Sequence, residues 1–295
     1  MERATRVILL FACATEPATD TAADTGPRLC NGSELLCDRS VQEVAFLRTH
    51  NSHASEERGY TAFNWNHHFA IPTQLAEGVR ALNVDVYDFE GQLQACHGPC
   101  ELAAQPFVDV LDEIEGHLAG DPGAVLLIDF QDEAAEGAIE AAIDAHAIGQ
   151  RVHVQDPALP WPTLAELLDA GTGLVTLDGN VYGTGWSYEE PEDLDCVVQG
   201  EAFETGLYEV THVLTNPLAS PANAEAINHD PVLSDHIDRC VAEVGFVNQV
   251  SIDFYSIGDG LALIDRLNGI ERYSRSIRAP KSGTNGGPAT NADSL

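Results

Sequence analysis

Positive charge is the scarcest feature of this sequence. Its 295 residues include 14 lysines and arginines, with Lys281 as the only lysine, against 47 aspartates and glutamates. The formal net charge of −33 leaves no basic stripe to neutralise the phosphates of a nucleic acid or to dock broadly onto an anionic membrane leaflet. Long apolar runs are also missing, since no segment after the N-terminus approaches the roughly 18 apolar residues of a transmembrane helix. The composition excludes nucleic acid as a partner and predicts an acidic globular protein.

The first 28 residues have the composition of an export signal followed by a tether. A basic start precedes a short apolar run at 7–12, and residues 10–13 (Leu-Phe-Ala-Cys) resemble the lipobox of bacterial lipoproteins, whose cysteine is lipidated. Residues 14–27, rich in Ala, Thr, Asp and Pro, are typical of a flexible tether. Because the apolar run is shorter than the usual span of about 7–15 residues, cleavage after Ala14 is the alternative. We expect export, as a cell-envelope lipoprotein anchored at Cys13 or as a secreted protein.

The cysteine content also predicts export. Setting Cys13 aside leaves six of the seven cysteines, an even number that fits an oxidising compartment. Six cysteines allow about 15 pairings. Proximity along the chain favours three disulfides: Cys30–Cys37, Cys96–Cys100 and Cys196–Cys240. A zinc site is disfavoured, because no Cys-x2-Cys pair has a matching second half.

Three polar clusters each follow a short, apolar, strand-like run. The runs lie at 44–47, 81–86 and 93–96. They deliver His50 and Asn51, then Asn83 and Asp85, then His97. Side chains at the C-terminal ends of consecutive strands form the active site of an α/β barrel. Two histidines can act as base and acid, and Asn and Asp oxygens can hold a hard cation. The pattern therefore predicts a site that cleaves phosphodiesters.

The rest of the chain alternates predicted helices and strands, as an α/β fold requires. Further strands are predicted at 124–128, 174–177, 207–214 and 247–254. Helices are predicted at 71–78, 107–118, 134–147, 164–171, 222–244 with a break at Pro231, and 260–272. These make seven barrel strands, and the position of the eighth stays open. The predicted organisation is a signal or lipoprotein segment with a tether at 1–28, a barrel at 29–273 and a disordered tail at 274–295.

The order and spacing of these motifs resemble the X-domain superfamily of phosphatidylinositol-specific phospholipases C. The exported, cysteine-containing group of bacteria and plants is the most similar. The likeness runs from Cys30 to Asn268 and is carried by residues 49–53, residues 78–88 and Cys96-His97-Gly98. Further support comes from residues 161–164, 215–218 and 250–259. Each motif alone is weak, and together they imply the irregular α/β (TIM) barrel of the PLC-like phosphodiesterases.

The resemblance implies a catalytic role for three side chains. His50 matches the general base that removes the proton of the inositol 2-hydroxyl. His97 matches the general acid that protonates the leaving diacylglycerol oxygen. Asp253, at the last strand, matches the acid that orients the base through its ring nitrogen. The implied activity is that of a phosphoric diester hydrolase, or of a lyase that forms a cyclic phosphodiester, which the same pair can hydrolyse in reversed roles.

Members of this superfamily neutralise the phosphate with either an arginine or calcium. The arginine stands where this chain has Asp85, which would repel the phosphate unless a cation lies between them. Asn51, Asn83, Asp85 and Asp129 match the calcium-binding set, so the resemblance implies Ca²⁺ as the cofactor. The departure is Asn83, where calcium-dependent members usually have an acidic residue. Two carboxylates instead of three predict a weak site, which suits the millimolar calcium outside cells.

The same residues permit other functions. A glycerophosphodiesterase-like or sphingomyelinase-D-like enzyme would also combine a metal with two histidines in a barrel. A non-catalytic envelope lipoprotein could retain the barrel as a binding module. The separation of His50 from Asn83 and the context of His97 favour the phospholipase C group. The expected substrate is a phospholipid or another phosphodiester, met through peripheral or lipid-anchored membrane contact. The head group and the oligomeric state stay open.

Overall fold

The computed structural model describes residues 26–177, Tyr182, Leu194, Cys196, 206–215 and 218–270, apart from the side chains of residues 132 and 133. The predictions for the N-terminal segment, including lipidation at Cys13, and for the C-terminal tail concern residues outside this part of the chain. Within it, no helix has the length and apolar character needed to cross a membrane.

Eight strands of the described chain form one mixed sheet. They are β1 (Phe46–Thr49), β2 (Ala81–Phe89), β3 (Gln92–Ala95), β4 (Gln105–Pro106), β5 (Leu126–Glu133), β6 (Leu174–Thr176), β7 (Glu209–His212) and β8 (Gln249–Ile252).

Six of these strands are parallel neighbours in the order β6-β5-β2-β1-β8-β7. Parallel strands joined by helices are the arrangement of an α/β barrel, and they confirm six of the seven predicted barrel strands. In the described residues β6 and β7 do not pair, so the sheet is an irregular barrel that these strands do not close.

The seventh predicted barrel strand, at 93–96, is wrong as a parallel strand. It is β3, which runs antiparallel to β2 with Val86 opposite Ala95. The two-residue loop between them contains Glu90 and Gly91, both with positive φ, at 54° and 77°. Such a loop makes a tight hairpin, whereas a parallel connection needs a crossover of about a dozen residues. β2 continues past the end of β1, and the hairpin that it forms with β3 brings His97 to the barrel mouth, the end of the barrel where the parallel strands terminate.

Helices cover the outside of the sheet. They are α1 (Ile71–Glu77), α2 (Phe107–Gly120), α3 (Ala138–Ala145), α4 (Leu164–Ala170), α5 (Pro221–Ile227), α6 (Val232–Val244) and α7 (Gly260–Leu267). The predicted helix at 222–244 is divided into α5 and α6 close to Pro231, as its break predicts. The predicted helix at 134–147 begins only at Ala138, because Gly137 before it has φ 76°, outside the helical region.

Alternation along the strands sorts side chains into two environments. Leu47, Leu82, Ile128 and Val250 pack in the apolar layer between sheet and helices. The next residue on each of these strands is polar and buried; these are Arg48, Asn83, Asp129 and Ser251. Because successive side chains of a strand point to opposite faces, the polar residues share the barrel interior. A second apolar cluster that includes Phe46, Ala81 and Leu127 fills the opposite end of that interior.

The structure contains the three disulfides predicted from chain proximity. They join Cys30 to Cys37, Cys96 to Cys100 and Cys196 to Cys240. Cys30 and Cys37 belong to the apolar cluster with Phe46. Cys96 and Cys100 bracket His97.

Candidate active site

The turn after β1 places His50 and Asn51 at the barrel mouth. Asn51 has φ 49°, a left-handed conformation that asparagine adopts more readily than most residues. The N–H of His50 donates to the carbonyl of Ile252 at 3.1 Å, and the N–H of Asn51 donates to Oδ1 of Asn83 at 2.9 Å. Ser52 Oγ accepts from the N–H of Asn83 at 3.0 Å. The turn is thereby tied to β8 on one side and to β2 on the other.

His50 is anchored by a carboxylate. Its Nδ1 lies 3.0 Å from Oδ1 of Asp253, and Nδ2 of Asn66 donates to the same oxygen at 2.8 Å. Burial lowers the pKa of His50, but the charge of Asp253, its hydrogen bond to the ring and the charge of Asp85 together outweigh burial, and the net shift is upward. When Nδ1–H donates to Asp253, Nε2 keeps a lone pair that can accept a proton. Asp253 thus lies where an orienting carboxylate is predicted.

His97 is anchored by the backbone. Its Nδ1 lies 3.2 Å from the carbonyl oxygen of Asn64, and Nδ2 of Asn64 donates to the carbonyl of His97 at 3.4 Å. The N–H of Cys96 donates to the carbonyl of Asp85 at 3.3 Å, which fixes the hairpin end against β2. Burial lowers the pKa of His97, and the neighbouring His50 lowers it further.

The side-chain amide of Asn51 lies between the two histidines and the acidic residue of β2. One end of the amide is 3.3 Å from Nε2 of His50 and 3.3 Å from Nε2 of His97. The other end is 2.9 and 3.0 Å from the two carboxylate oxygens of Asp85 and 3.2 Å from Oδ1 of Asn83. The Nε2 atoms of both histidines therefore converge on one point, directly beside Asp85.

The residues at this point fit a hard divalent cation. With the amide nitrogen turned towards Asp85, Asn51 donates hydrogen bonds to the oxygens of Asp85 and Asn83. A half-turn of the amide instead brings side-chain oxygens of three residues together, the amide oxygens of Asn51 and Asn83 and the carboxylate of Asp85. Carboxylate and amide oxygens are ligands that calcium prefers. These three members of the predicted set thus meet in one place with suitable chemistry.

Asp129, the fourth member of the predicted set, lies in the interior beneath the mouth. It forms an ion pair with Arg48, and its Oδ2 accepts from Nδ2 of Asn83 at 3.4 Å. Its Oδ1 is buried and makes no hydrogen bond. Burial raises the pKa of Asp129 to about 6, although the Arg48 guanidinium acts in the opposite direction. Asp129 therefore contacts Asn83, and its counter-charge is the guanidinium of Arg48.

Two further buried histidines, His53 and His67, lie beside the site. His53 is fully buried against the backbone of Cys96, and burial lowers its pKa to about 3. His67 donates from Nε2 to the carbonyl of His50 at 2.7 Å, and burial lowers its pKa to about 4. Both rings are neutral near neutral pH, so they shape the site without adding positive charge.

Sequence analysis missed Arg48, Asn64 and Asn66. Arg48 carried a signal, because it lies two residues before His50 and residues two apart on a strand share a face. Nothing in the sequence marks Asn64 or Asn66, which lie in an irregular segment and reach the histidines only through the fold.

A parallel α/β barrel with two convergent histidines and an Asn/Asp cluster at its mouth is the arrangement of a PLC-like phosphodiesterase. The PI-PLC X family model matches residues 36–185, just over half of the chain. The chain belongs to the PI-PLC X-domain family.

Curated relatives are distant. A PI-PLC X domain-containing protein of Arabidopsis thaliana is 23% identical over 70% of this chain and 56% of its own length. A secreted protein of Arthroderma benhamiae, itself uncharacterised, is 27% identical over 52% of this chain and 36% of its own. The chain thus spans about half or less of the length of these relatives.

Solved structures show the same fold. A variant of the phosphatidylinositol-specific phospholipase C of Staphylococcus aureus is similar with a TM-score of 0.56 and 13% identity, over 80% of this chain and 95% of its own. The enzyme of Listeria monocytogenes has a TM-score of 0.52 and 14% identity, over 80% and 96%. These likenesses establish the barrel predicted from the sequence, in its irregular form.

Proposed function

We propose that this protein is an exported phosphoric diester hydrolase that cleaves a phospholipid with His50 and His97 as its acid–base pair. The observation that carries the proposal is the convergence of the two Nε2 atoms, each 3.3 Å from the amide of Asn51. Each ring is held from its far side, His50 by Asp253 and His97 by the carbonyl of Asn64. A phosphodiester bound at the mouth would therefore meet one ring nitrogen on its attacking side and one on its leaving side.

The proposed reaction begins at His50. Its Nε2 takes the proton of a hydroxyl, which forms the new bond to phosphorus, while Asp253 stabilises the imidazolium that results. Protonated His97 gives its Nε2 proton to the oxygen of the breaking P–O bond. In the phospholipase C reaction of the family the attacking hydroxyl belongs to the substrate, and the product is a cyclic phosphodiester. Water then attacks with the two histidines in reversed roles.

We further propose that calcium binds beside the histidines. Asn51, Asn83 and Asp85 supply oxygens from one place, and Asp129 completes the predicted set. When bound, the cation would stabilise negative charge on the non-bridging phosphoryl oxygens. Asp85 supports the proposal, because without a cation its carboxylate repels the phosphate.

Two observations support export, and the structural relatives support a lipid substrate. The three disulfides suit an oxidising compartment, and one relative carries the description of a secreted protein. The structural relatives are phosphatidylinositol-specific phospholipases C, and one of the staphylococcal structures concerns the modulation of membrane binding.

The test is turnover of the purified full chain on phosphatidylinositol, glycosyl-phosphatidylinositol, glycerophosphodiesters and sphingomyelin, each with calcium or with excess chelator. Phosphorus NMR identifies cyclic and open products. We expect phosphatidylinositol-type substrates to be cleaved, chelation to abolish cleavage and calcium to restore it. Cleavage of glycerophosphodiesters or sphingomyelin alone would assign the enzyme to one of the other phosphodiesterase groups. Failure on every substrate would indicate a non-catalytic barrel.

Asp85→Arg separates the cation from the histidines. The guanidinium supplies a covalent positive charge at the position of Asp85, so any residual activity of this variant should be insensitive to chelator. Full activity of the wild-type protein after exhaustive chelation would contradict the proposed cation but not the proposed roles of His50 and His97.

A further inference from the structure

Arg48 is the largest fully buried side chain of the described residues, and it belongs to the barrel interior. Its guanidinium forms ion pairs with Asp129 of β5 and Glu209 of β7, and Nη1 lies 3.4 Å from Oγ of Ser251. Arg48, Asp129 and Glu209 are 2%, 1% and 1% exposed. A buried carboxylate without a partner is strongly unfavourable. The guanidinium of Arg48 is therefore needed as the counter-charge of two carboxylates that are shielded from water.

Asn83 connects this ion triad to the mouth. Its Nδ2 donates to Oδ2 of Asp129 at 3.4 Å, while its Oδ1 accepts from the backbone N–H of Asn51 at 2.9 Å. The amide thus has its donor end towards the interior and its acceptor end towards the mouth. A carboxylate at position 83 would place oxygen against oxygen at Asp129. Asparagine suits this position because only one of its ends must face an anion.

Strand register separates Asp129 from Asp85. Across the β2–β5 pair, Asn83 is opposite Asp129, whereas Asp85 is opposite Gln131. Asp129 therefore shares a layer with Asn83, and Asp85 lies two residues, or about 7 Å, further along the strand. Within that layer Asn83 directs Oδ1 towards Asn51 at the mouth and Nδ2 towards Oδ2 of Asp129, which is paired with Arg48 in the interior.

We infer that Arg48 withdraws Asp129 from the cation site, so that Asn51, Asn83 and Asp85 hold the ion and Asp129 acts as a positioning residue for Asn83. The inference rests on the calcium proposed above and changes its ligand set. The site then contains a single carboxylate. Because affinity for calcium rises with the charge of the ligands, such a site belongs in the weak range, with a Kd of about 10⁻⁴–10⁻³ M. Occupancy would then follow changes in calcium concentration outside the cell.

Calcium titration of the full chain by calorimetry tests the ligand set without measuring activity. Asp85→Asn should weaken binding by at least about tenfold or abolish it. Asp129→Asn should leave Kd within about threefold of the wild-type value while lowering Tm, because it breaks an ion pair and keeps the shape of the side chain. Glu209→Gln is the matched control: it removes the other partner of Arg48, and should lower Tm with Kd unchanged. A loss of binding in Asp129→Asn equal to that in Asp85→Asn would overturn the inference.

A gain of affinity gives an independent test. The double variant Arg48→Met, Glu209→Gln removes the guanidinium and one carboxylate together, so that Asp129 loses its counter-charge. Calcium binding should then tighten by about tenfold or more, as expected from an added ligand charge. An unchanged or weaker Kd in a folded double variant would contradict the role given to Arg48.

The positioning role is measurable even without calcium. In metal-free protein, nitrogen-edited NMR should show shifts of the Asn83 side-chain amide and of the Arg48 guanidinium in Asp129→Asn. Unchanged Asn83 signals would overturn the positioning role. A wild-type chain that binds no calcium, with Asn83 signals that do respond, would contradict the proposed cation and support the link between Asp129 and Asn83.

Discussion

His50 and His97 present the same ring atom to the same amide but are anchored by different groups. Nδ1 of His50 meets the carboxylate of Asp253 at 3.0 Å, whereas Nδ1 of His97 meets the neutral carbonyl of Asn64 at 3.2 Å. Burial lowers the pKa of both rings. Only for His50 do neighbouring carboxylates, Asp253 by its charge and hydrogen bond and Asp85 by its charge, together reverse the direction of the shift.

The difference shows that the group on the far ring nitrogen sets the protonation preference of each histidine. A full negative charge stabilises imidazolium much more than a carbonyl dipole does, and the low local dielectric strengthens both effects. His50 therefore retains a proton to higher pH than His97 in the free protein, so neutral His50 with protonated His97, the pair with which the proposed reaction begins, is the minor singly protonated form of the free site. The two rings also differ in how the backbone holds them. His50 sits in a turn tied to two barrel strands, whereas His97 follows a hairpin braced by a disulfide.

Removal of either ring is expected to have the largest effect. His50→Ala and His97→Ala should each lower turnover by a factor of about 10²–10⁴ without unfolding the chain, because each removes one proton-transfer group. Steady-state rates together with thermal unfolding measure this. His229→Ala is the control, since His229 is half exposed and pairs with Glu225 on the surface. Near wild-type turnover in either ring variant would contradict the two-histidine mechanism.

Asp253→Asn should make His50 resemble His97. Without the carboxylate of Asp253, burial exceeds the remaining raising effect of Asp85, so the pKa of His50 should fall below 6.5, as histidine NMR signals in metal-free protein would report. The limb of the pH–rate profile that follows the pKa of His50 should move to lower pH, and turnover should fall by about 10–10²-fold as orientation is lost. An unchanged pKa of His50 would show that Asp253 is not its anchor.

Asp253→Asn should also change how the stability of the fold depends on pH. A histidine with a raised pKa stabilises the fold at low pH, whereas a carboxylate with a lowered pKa stabilises it at high pH. The raised pKa of His50 contributes stability that is fully present below about pH 6.5 and is lost as the pH rises through the folded-state pKa. Asp253→Asn should remove this contribution, so that its loss of Tm relative to wild type is greater at pH 6 than at pH 9.

The disulfide beside His97 should matter more for catalysis than for the fold. Replacing Cys96 and Cys100 by serine removes a short loop closure worth about 2 kcal/mol and loosens the hairpin end. Turnover should fall about tenfold, less than the 10²-fold loss that a displacement of about 1 Å can cause. The matched control replaces Cys30 and Cys37, whose loop is also short and which belong to the apolar cluster at the other end of the barrel. Equal losses of turnover in the two double variants would refute a specific role for the Cys96–Cys100 bond.

The smallest effect concerns His53, which lies near His97 in the buried surroundings of the site. Its pKa is lowered to about 3, so the unfolded chain takes up a proton that the folded chain does not, and stability falls as the pH drops below 6.5. His53→Phe should reduce the loss of Tm between pH 7 and pH 4 by about 2–4 °C or more. Thermal melts across this range measure it, and an undiminished acid loss would exclude His53 as a contributor.

Local patterns were sufficient for much of this site. The apolar run before His50, the alternation that places Asn83 and Asp85 on one face, and the apolar strand before Asp129 all reflect the two-residue period of a strand. That period is a property of the backbone and needs no knowledge of neighbours. The motif identifies His97, but the strand before it is predicted to be parallel and is antiparallel. The short loop at Glu90 and Gly91 makes it the second strand of a hairpin, and the apolar run itself does not indicate the direction of the strand.

Other features depend on which strands become neighbours. The contacts of Arg48 with Asp129 and Glu209 join residues 81 and 161 positions apart. They exist because β1, β5 and β7 direct side chains into one interior.

The sequence by itself therefore determined the export-type cysteine content, the helix–strand alternation and the polar residues at strand ends, since each follows from composition or local backbone geometry. Only the tertiary structure decided that His50 has a carboxylate anchor and His97 a carbonyl, and that Arg48 pairs with Asp129. The physical reason is that charge interactions act over a few ångströms in space, and the order of strands around the barrel sets which charges come that close.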